Sequence, residues 1–317
     1  MNKKVKYASR IFILLILGFI SAELIVRLVF GLGNPPIFER SDEYGYRLIP
    51  SQNIRRFGNR VFYNAQGLRS EPIAEEPQAD TVRILCIGDS ITYGGTTIDQ
   101  EETYPYQLEN ILDSKGSSRF EVLNASAPSW SIGDEESYMS KHGIYNSHIV
   151  VLQISKDDLF QERCSKDLVG NSPNYPDEKP VLALQEIFVK YLPGFLCSPK
   201  ADDFFKEKSV RQENQLKYNL LSLVRIKNYV SAMDSKLIVV FIGSRMKEAY
   251  DVSFVEAGKR QLFDIISISD IDFINLDEKF SSSEGDRLLR DKMHPGVEGN
   301  KVIAEALAEH IVIVREE

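Results

Sequence analysis

Residues 11–30 are almost wholly apolar, with only Glu23 and Arg27 breaking the run. About 20 such residues in a helix cover the roughly 30 Å hydrocarbon core of a bilayer, so the pattern predicts a membrane-spanning helix. A central charge costs about 3 kcal/mol on insertion scales, whereas each Ile, Leu, Phe or Val returns about 0.3–0.6 kcal/mol. The apolar residues therefore outweigh two off-centre charges. Glu23 and Arg27 stand four apart on one helix face, and Arg27 is expected to reach toward the outer headgroups. The competing expectation is a cleaved signal peptide with residues 11–22 as its core, but the apolar pattern continues from Leu24 to Phe30, beyond any cut site. Lys3, Lys4, Lys6 and Arg10 precede the run and mixed charge follows it in Glu39, Arg40, Asp42 and Glu43. That asymmetry makes residues 1–31 a cytoplasmic head and transmembrane helix and puts the rest outside.

Residues 32–81 show little periodicity. Pro35, Pro36, Pro50 and Pro77 and scattered charge mark a stalk or a collar packed on a domain. Within it, 44–50 and 64–69 read as ordered turns, because Gly and Asn tolerate positive φ. From Arg83 onward, short apolar runs alternate with longer helical patterns. Strands are predicted over 84–87, 120–123, 149–154, 237–242 and 273–276, and helices over 104–112, 135–142, 212–233, 254–268 and 297–311. Such alternation implies a parallel sheet with helices on both faces. A chain of 317 residues supports one domain of this kind, residues 82–317, rather than two. Ligands of open parallel sheets bind beyond the carboxyl ends of the strands, so functional side chains are expected just after a strand. The connection over about 159–211, with an apolar patch at 187–196, is long for a compact domain and divides between a cap over the site and peripheral packing.

The formal charge of −8 and pI near 5.3 argue against a nucleic-acid partner, whose phosphates are neutralised by Lys and Arg. Cys86, Cys164 and Cys197 are too few for a disulfide framework and lack zinc-site spacing. His142, His148, His294 and His310 form no metal cluster, and the turn after the first strand lacks Gly-x-Gly-x-x-Gly. No metal and no cofactor is expected. Cys164 and Cys197 lie in the long connection and are open to pairing outside the cytoplasm, whereas Cys86 reads as a buried thiol in a core strand.

Two segments carry chemistry. The first predicted strand runs into Gly88-Asp89-Ser90-Ile91-Thr92, which puts Ser90 at a strand-to-helix turn, its hydroxyl over the sheet and near helix amides that favour developing negative charge. Ordinary N-capping explains a lone serine there equally well. Near the other end, Asp291-Lys-Met-His294-Pro295 precedes the last helix. A serine hydroxyl needs an adjacent base, and the base an orienting acid. A carboxylate three residues before an imidazole is able to bend back to Nδ1 and leave Nε2 for Ser90.

In these two segments the chain is similar to the SGNH/GDSL hydrolases. Gly88-Asp-Ser-Ile-Thr-Tyr-Gly94 resembles their first block and Asp291-Lys-Met-His-Pro-Gly296 their last, over a likeness that extends from about residue 83 to 311. That likeness includes 103–109, and the upstream segments 23–27 and 64–69 resemble the membrane-anchored bacterial members. The resemblance implies a flavodoxin-like, three-layer αβα fold with a five-stranded parallel sheet. It also implies hydrolysis or transfer of O-acyl groups, for example acetyl, through an acyl-serine intermediate, with Ser90, Asp291 and His294 as catalytic residues. The partner implied is a small-molecule or glycan or lipid ester, beside the membrane reached through the N-terminal helix. The oxyanion hole would draw on Ser90, Ser129 and Asp157, and here the chain departs from the family. Ser129 stands where the second block has glycine, and Asp157 where the third block has asparagine. An ionised carboxylate aimed at an oxyanion repels it, and one lost donor typically costs about 10²–10³ in rate. Asp157 as a neutral acid, Lys156 or backbone amides would each supply a substitute. The alternative is a catalytically impaired relative that binds an envelope glycan or protein. Trp130, His142, His148 and His310 are expected to be packing or surface residues.

Overall fold

Residues 81–88 are apolar at nearly every position, which only a strand covered on both faces tolerates. The computed structural model describes residues 3–115, 119–193, 209–245 and 251–316. Helix α1 (Lys3–Phe30) leads into two antiparallel hairpins, β1 (Phe38–Ser41) with β2 (Gly45–Leu48) and β3 (Gln52–Arg56) with β4 (Asn59–Tyr63). Then follow β5 (Thr81–Gly88), α2 (Ser90–Tyr93), α3 (Tyr104–Ser114), β6 (Arg119–Ser126), α4 (Ile132–His142) and β7 (Ile149–Ser155). Beyond the short α5 (Ala183–Glu186) come α6 (Ser209–Ala232), β8 (Lys236–Ile242), α7 (Val252–Ile268) and β9 (Asp272–Leu276). The short α8 (Asp277–Ser281) and α9 (Gly285–Leu288) precede the closing α10 (Val297–Glu316).

The main sheet runs β6-β5-β7-β8-β9, parallel throughout. This is the doubly wound order expected, and it reverses direction at β5, between β6 and β7, where such sheets open a crevice. Alternate strand residues feed two cores. Ile84, Cys86, Val151 and Val240 pack with residues of α3 and α10, whereas Leu85, Ile87, Val150 and Phe241 pack with residues of α4, α6 and α7.

Two boundaries differ from the sequence pattern for polar reasons. β5 begins at Thr81 rather than 84 because Arg83, which interrupts the apolar run, is itself fully buried. Its guanidinium pairs with Glu121 at 2.6 Å and donates to the carbonyls of Ala74, Glu75 and Tyr145. α4 begins at Ile132 rather than 135 because Asp134 accepts from both the Ser131 amide (3.0 Å) and the Ser131 hydroxyl (2.9 Å), closing the first turn.

Residues 38–63 are not a bare stalk. Tyr44, Tyr46, Leu48, Ile54, Val61 and Tyr63 of the hairpins are buried in the same core as Leu85 and Ile87, and Trp130 donates its indole N–H to the Tyr46 carbonyl at 2.9 Å. The hairpins also grip the end of α1. Gly31, at φ +68, turns the chain out of the helix, and a Cβ there would lie 2.0 Å from the Arg55 carbonyl oxygen; Gly31 N and Leu32 N bond back to Arg27 O and Val26 O, a Schellman-type end. On α1, Arg27 meets Glu23 at 2.8 Å as the spacing predicts. Its guanidinium also donates to the Val181 carbonyl at 3.0 Å, while Glu23 accepts from the amides of Ala183 (2.8 Å) and Leu184 (3.0 Å).

The same segment is locked to the collar by Glu186. Arg56 and Glu186 pair at 2.6 Å with only 2% and 7% of their side chains exposed, and Glu186 also accepts from the Gly33 amide at 2.8 Å. Removing one partner of a buried pair strands the other charge, at a cost of about 3–5 kcal/mol. Glu186→Ala is therefore expected to lower the melting temperature by several degrees, and Arg56→Leu combined with Glu186→Leu to recover part of the loss; a double variant no better than the single one in thermal unfolding would show that the stranded charge is not the cause.

Candidate active site

Ser90 follows β5 directly, but it does not cap the helix. Asp89 does, accepting from the Ile91 amide at 2.8 Å, which leaves the Ser90 hydroxyl to face outward. α2 is a single turn ending at Gly94, φ 72, and the longer helix predicted from 104 begins at Tyr104 as α3. The turn is held by side chains. Thr92 donates to Gln153 at 3.0 Å and lies 3.0 Å from the Tyr104 hydroxyl, and Asn124 donates to the Thr92 carbonyl at 2.8 Å.

His294 comes from the other end of the chain. Its turn is closed by the Arg290 amide donating to the His294 carbonyl at 2.9 Å and by a bridge between Leu289 and Pro295. Asp291 Oδ1 accepts from the amides of Met293 and His294, both at 2.8 Å, while Oδ2 lies 2.8 Å from His294 Nδ1. Partial burial alone would raise the Asp291 pKa, but the two amides and the imidazole outweigh it and hold the carboxyl below its usual range. Nε2 of His294 lies 2.9 Å from Ser90 Oγ. Asp291, His294 and Ser90 thus form one hydrogen-bonded chain with the geometry of a nucleophile, base and orienter.

A cleft of roughly 530 Å³ opens over Ser90 and His294 and takes in Ser129 and Asp157. Ser129 adopts φ 63, a left-handed conformation that glycine takes without strain. Its carbonyl accepts from Gln161 Nε2 and from the Cys164 thiol at 2.7 Å, and the Ser129 hydroxyl lies 3.2 Å from that of Tyr175. Asp157 follows β7 and faces the cleft; Lys156 is buried and does not line it. Cys197, the expected partner of Cys164, lies outside the described residues. Trp130 is wall packing, 1% exposed. His142, His148 and His310 stand away from the cleft, where His142 lies 2.8 Å from the Tyr44 hydroxyl and is pushed down to about 4, first by burial.

Several residues at this site carry no motif. Pro35, Phe38 and Arg56 of the collar and Tyr175 and Lys190 of the long connection wall the cleft. Arg69, buried, holds the loop after α2 by donating to the carbonyls of Tyr93 (2.5 Å), Gly95 (2.6 Å) and Ile98 (2.8 Å), and Arg290 adds a bond to the Gly94 carbonyl at 2.7 Å. Arg69 closes the turn predicted over 64–69, but the sequence pattern assigned that arginine no role.

Around the Ser90 turn lie three buried acids, Asp89, Glu135 and Asp158. Burial pushes Asp89 up to about 6, with Asp157 adding to the rise and the Ile91 amide and His294 opposing it. Burial also drives Glu135 and Asp158 well above the ordinary range, helped by the neighbouring carboxylates, although the Ser155 amide donates to Asp158 at 2.6 Å. Among the described residues no group of three or more Asp, Glu, His or Cys is arranged to hold a metal ion, and burial favours the neutral form of Glu135 and Asp158 most strongly.

No family model matches the chain, and neither does any curated protein. Among solved structures it is similar to an acetyl xylan esterase variant from Geobacillus stearothermophilus at 15% identity and TM-score 0.48, over 75% of this chain and 97% of the other. It is similar to TesA at 13% and 0.46, over 72% and 97%, and to an alpha/beta hydrolase enzyme from the metagenome of Lake Arreo, Spain, at 12% and 0.47, over 72% and 94%.

The buried acids give a stability test. A carboxyl whose folded pKa is raised favours the native state below its unfolded pKa and loses that contribution as pH rises toward the folded value. Glu135→Gln does not titrate, so it is expected to gain on the parent in melting temperature as pH rises from 4 to 8. A difference constant over that range would mean that Glu135 ionises as it does in water.

Proposed function

We propose that this chain is a serine esterase or acyltransferase of the SGNH/GDSL type, with Ser90 as nucleophile, His294 as base and Asp291 as orienter. The observation that carries this is the chain of hydrogen bonds from Asp291 through both imidazole nitrogens to Ser90 Oγ. In the reaction, Nε2 takes the hydroxyl proton as Oγ bonds to the ester carbonyl carbon. Asp291 fixes the tautomer and steadies the imidazolium. As the tetrahedral intermediate collapses, the carbon–alkoxide bond breaks and His294 returns the proton to the departing alcohol, leaving an acyl-serine. Water or an acceptor alcohol reverses these steps and releases acid or a new ester. Main-chain N–H groups of Ser90 and Ser129 receive the oxyanion, a role the left-handed conformation of Ser129 supports.

α1 is long and apolar enough to cross a membrane. In this reading it is a single-pass anchor with its N-terminus in the cytoplasm, and the catalytic domain acts outside on O-acyl esters of small molecules, glycans or lipids. A second reading is favoured by one observation, the carboxylate of Asp157 at the cleft: the protein would then bind an envelope glycan or protein with its chemistry impaired. A preserved nucleophile, base and acid in contact weigh for catalysis.

Ser90→Ala is expected to abolish fluorophosphonate labelling and to lower turnover of p-nitrophenyl acetate by about 10³-fold or more; parent protein that neither labels nor turns over would favour the binding module. Asp157→Asn supplies a neutral donor and is expected to raise kcat by about 10-fold or more. An unchanged kcat from pH 5 to 9 would remove Asp157 from the oxyanion site.

A further inference from the structure

Around the outer end of α1 the surface is apolar where water would favour charge. Val181 is 86% exposed, Phe188 62% and Val189 51%, and the same segment turns Ala183 and Glu186 inward against α1 and the collar. The hairpin tip adds Phe57, which donates its amide to the Phe30 carbonyl and meets the Tyr191 ring edge-on at 6.4 Å. Exposed apolar clusters of this kind mark interaction surfaces, and this one is continuous with the lipid-facing residues of α1.

The clamp on Glu23 sets its depth. At about 1.5 Å per residue, Glu23 lies about 10 Å inboard of Phe30 along the helix axis, and the amides of Ala183 and Leu184 are bonded at that level. With residues 11–30 crossing the core, the start of the segment reaches about 10 Å below the outer edge of the core, the deep limit for an amphipathic interfacial element. Behind it runs a groove of roughly 320 Å³ lined by Val181 and Val189, and its walls Pro35, Pro176 and Lys190 are also walls of the cleft that holds Ser90 and His294. Lys190, where the two spaces join, is a cation on a long apolar stem that suits the headgroup level.

We propose that residues 181–192 form a lip lying in the outer leaflet, and that the groove behind it admits to Ser90 an ester whose lipid portion remains in the bilayer. This rests on the acyl-serine reading and on α1 as the anchor. The test uses the full chain in phospholipid vesicles. For Phe188→Trp, the emission added to that of buried Trp130 is expected to be largely quenched by phospholipid brominated in its acyl chains; unquenched emission, as for a lip covered by a protein partner, overturns the lip. For Phe188→Asp with Val189→Asp, turnover of p-nitrophenyl palmitate dissolved in the vesicles is expected to fall about 10-fold or more, while p-nitrophenyl acetate supplied from water changes less than about 2-fold. Equal loss on both esters overturns the entrance. Failure of the Ser90 chemistry itself shows differently, as no turnover of either ester by the parent with quenching intact; that outcome overturns the entrance and supports the lip.

Discussion

Every strand of the main sheet points the same way, and the rest of the molecule depends on that constraint. A parallel strand buried on both faces delivers its carboxyl end, and the turn after it, to one edge of the sheet. β5 and β7 are neighbours there, so the turn carrying Ser90 and the turn carrying Asp157 open side by side. His294 reaches the same edge from the far end of the sequence on a turn that its own backbone closes. The hydrogen bond between Ser90 and His294 is then a consequence of strand direction and of two rigid turns.

Buried polar groups decide the local detail within that frame. Arg83 extends the first strand, Arg69 and Arg290 hold the loop behind Ser90, and the Arg56–Glu186 pair ties the long connection to the collar. Each satisfies several carbonyls or a carboxylate that would otherwise be buried alone, and a satisfied buried network has one low-energy arrangement. Glu135 and Asp158 follow the opposite course, since burial favours their neutral forms in a region where charge is costly. The site is thus built where charges are either fully paired or suppressed, the environment in which electrostatic stabilisation of a transition state counts most.

The N-terminal helix is part of this network. Its two charges, an expense in a lone membrane segment, are satisfied by the main chain of residues 181–184. From there the collar and the long connection continue to the wall of the cleft through Arg56, Glu186 and Lys190. Helix, collar and the edge that carries Ser90 are consecutive links, so the orientation of the cleft follows from that of the helix.

Much of this was legible in the chain alone, because periodicity is a local property. The alternation after Arg83 revealed a parallel sheet with helices on both faces, the apolar run revealed α1, and the spacing of Asp291 and His294 held their contact, since three residues in a tight turn suffice for it. The opening of the strand at Thr81 stayed hidden, because a buried arginine looks polar in any pattern that scores residues singly. So did the hairpins over 38–63, whose strands are only four or five residues long and gain their burial from the domain they cover. Which residues wall the cleft, that Asp89 rather than Ser90 caps the helix, and that Arg27 turns to Val181 were decided by the tertiary structure, because each depends on groups brought together from distant parts of the sequence.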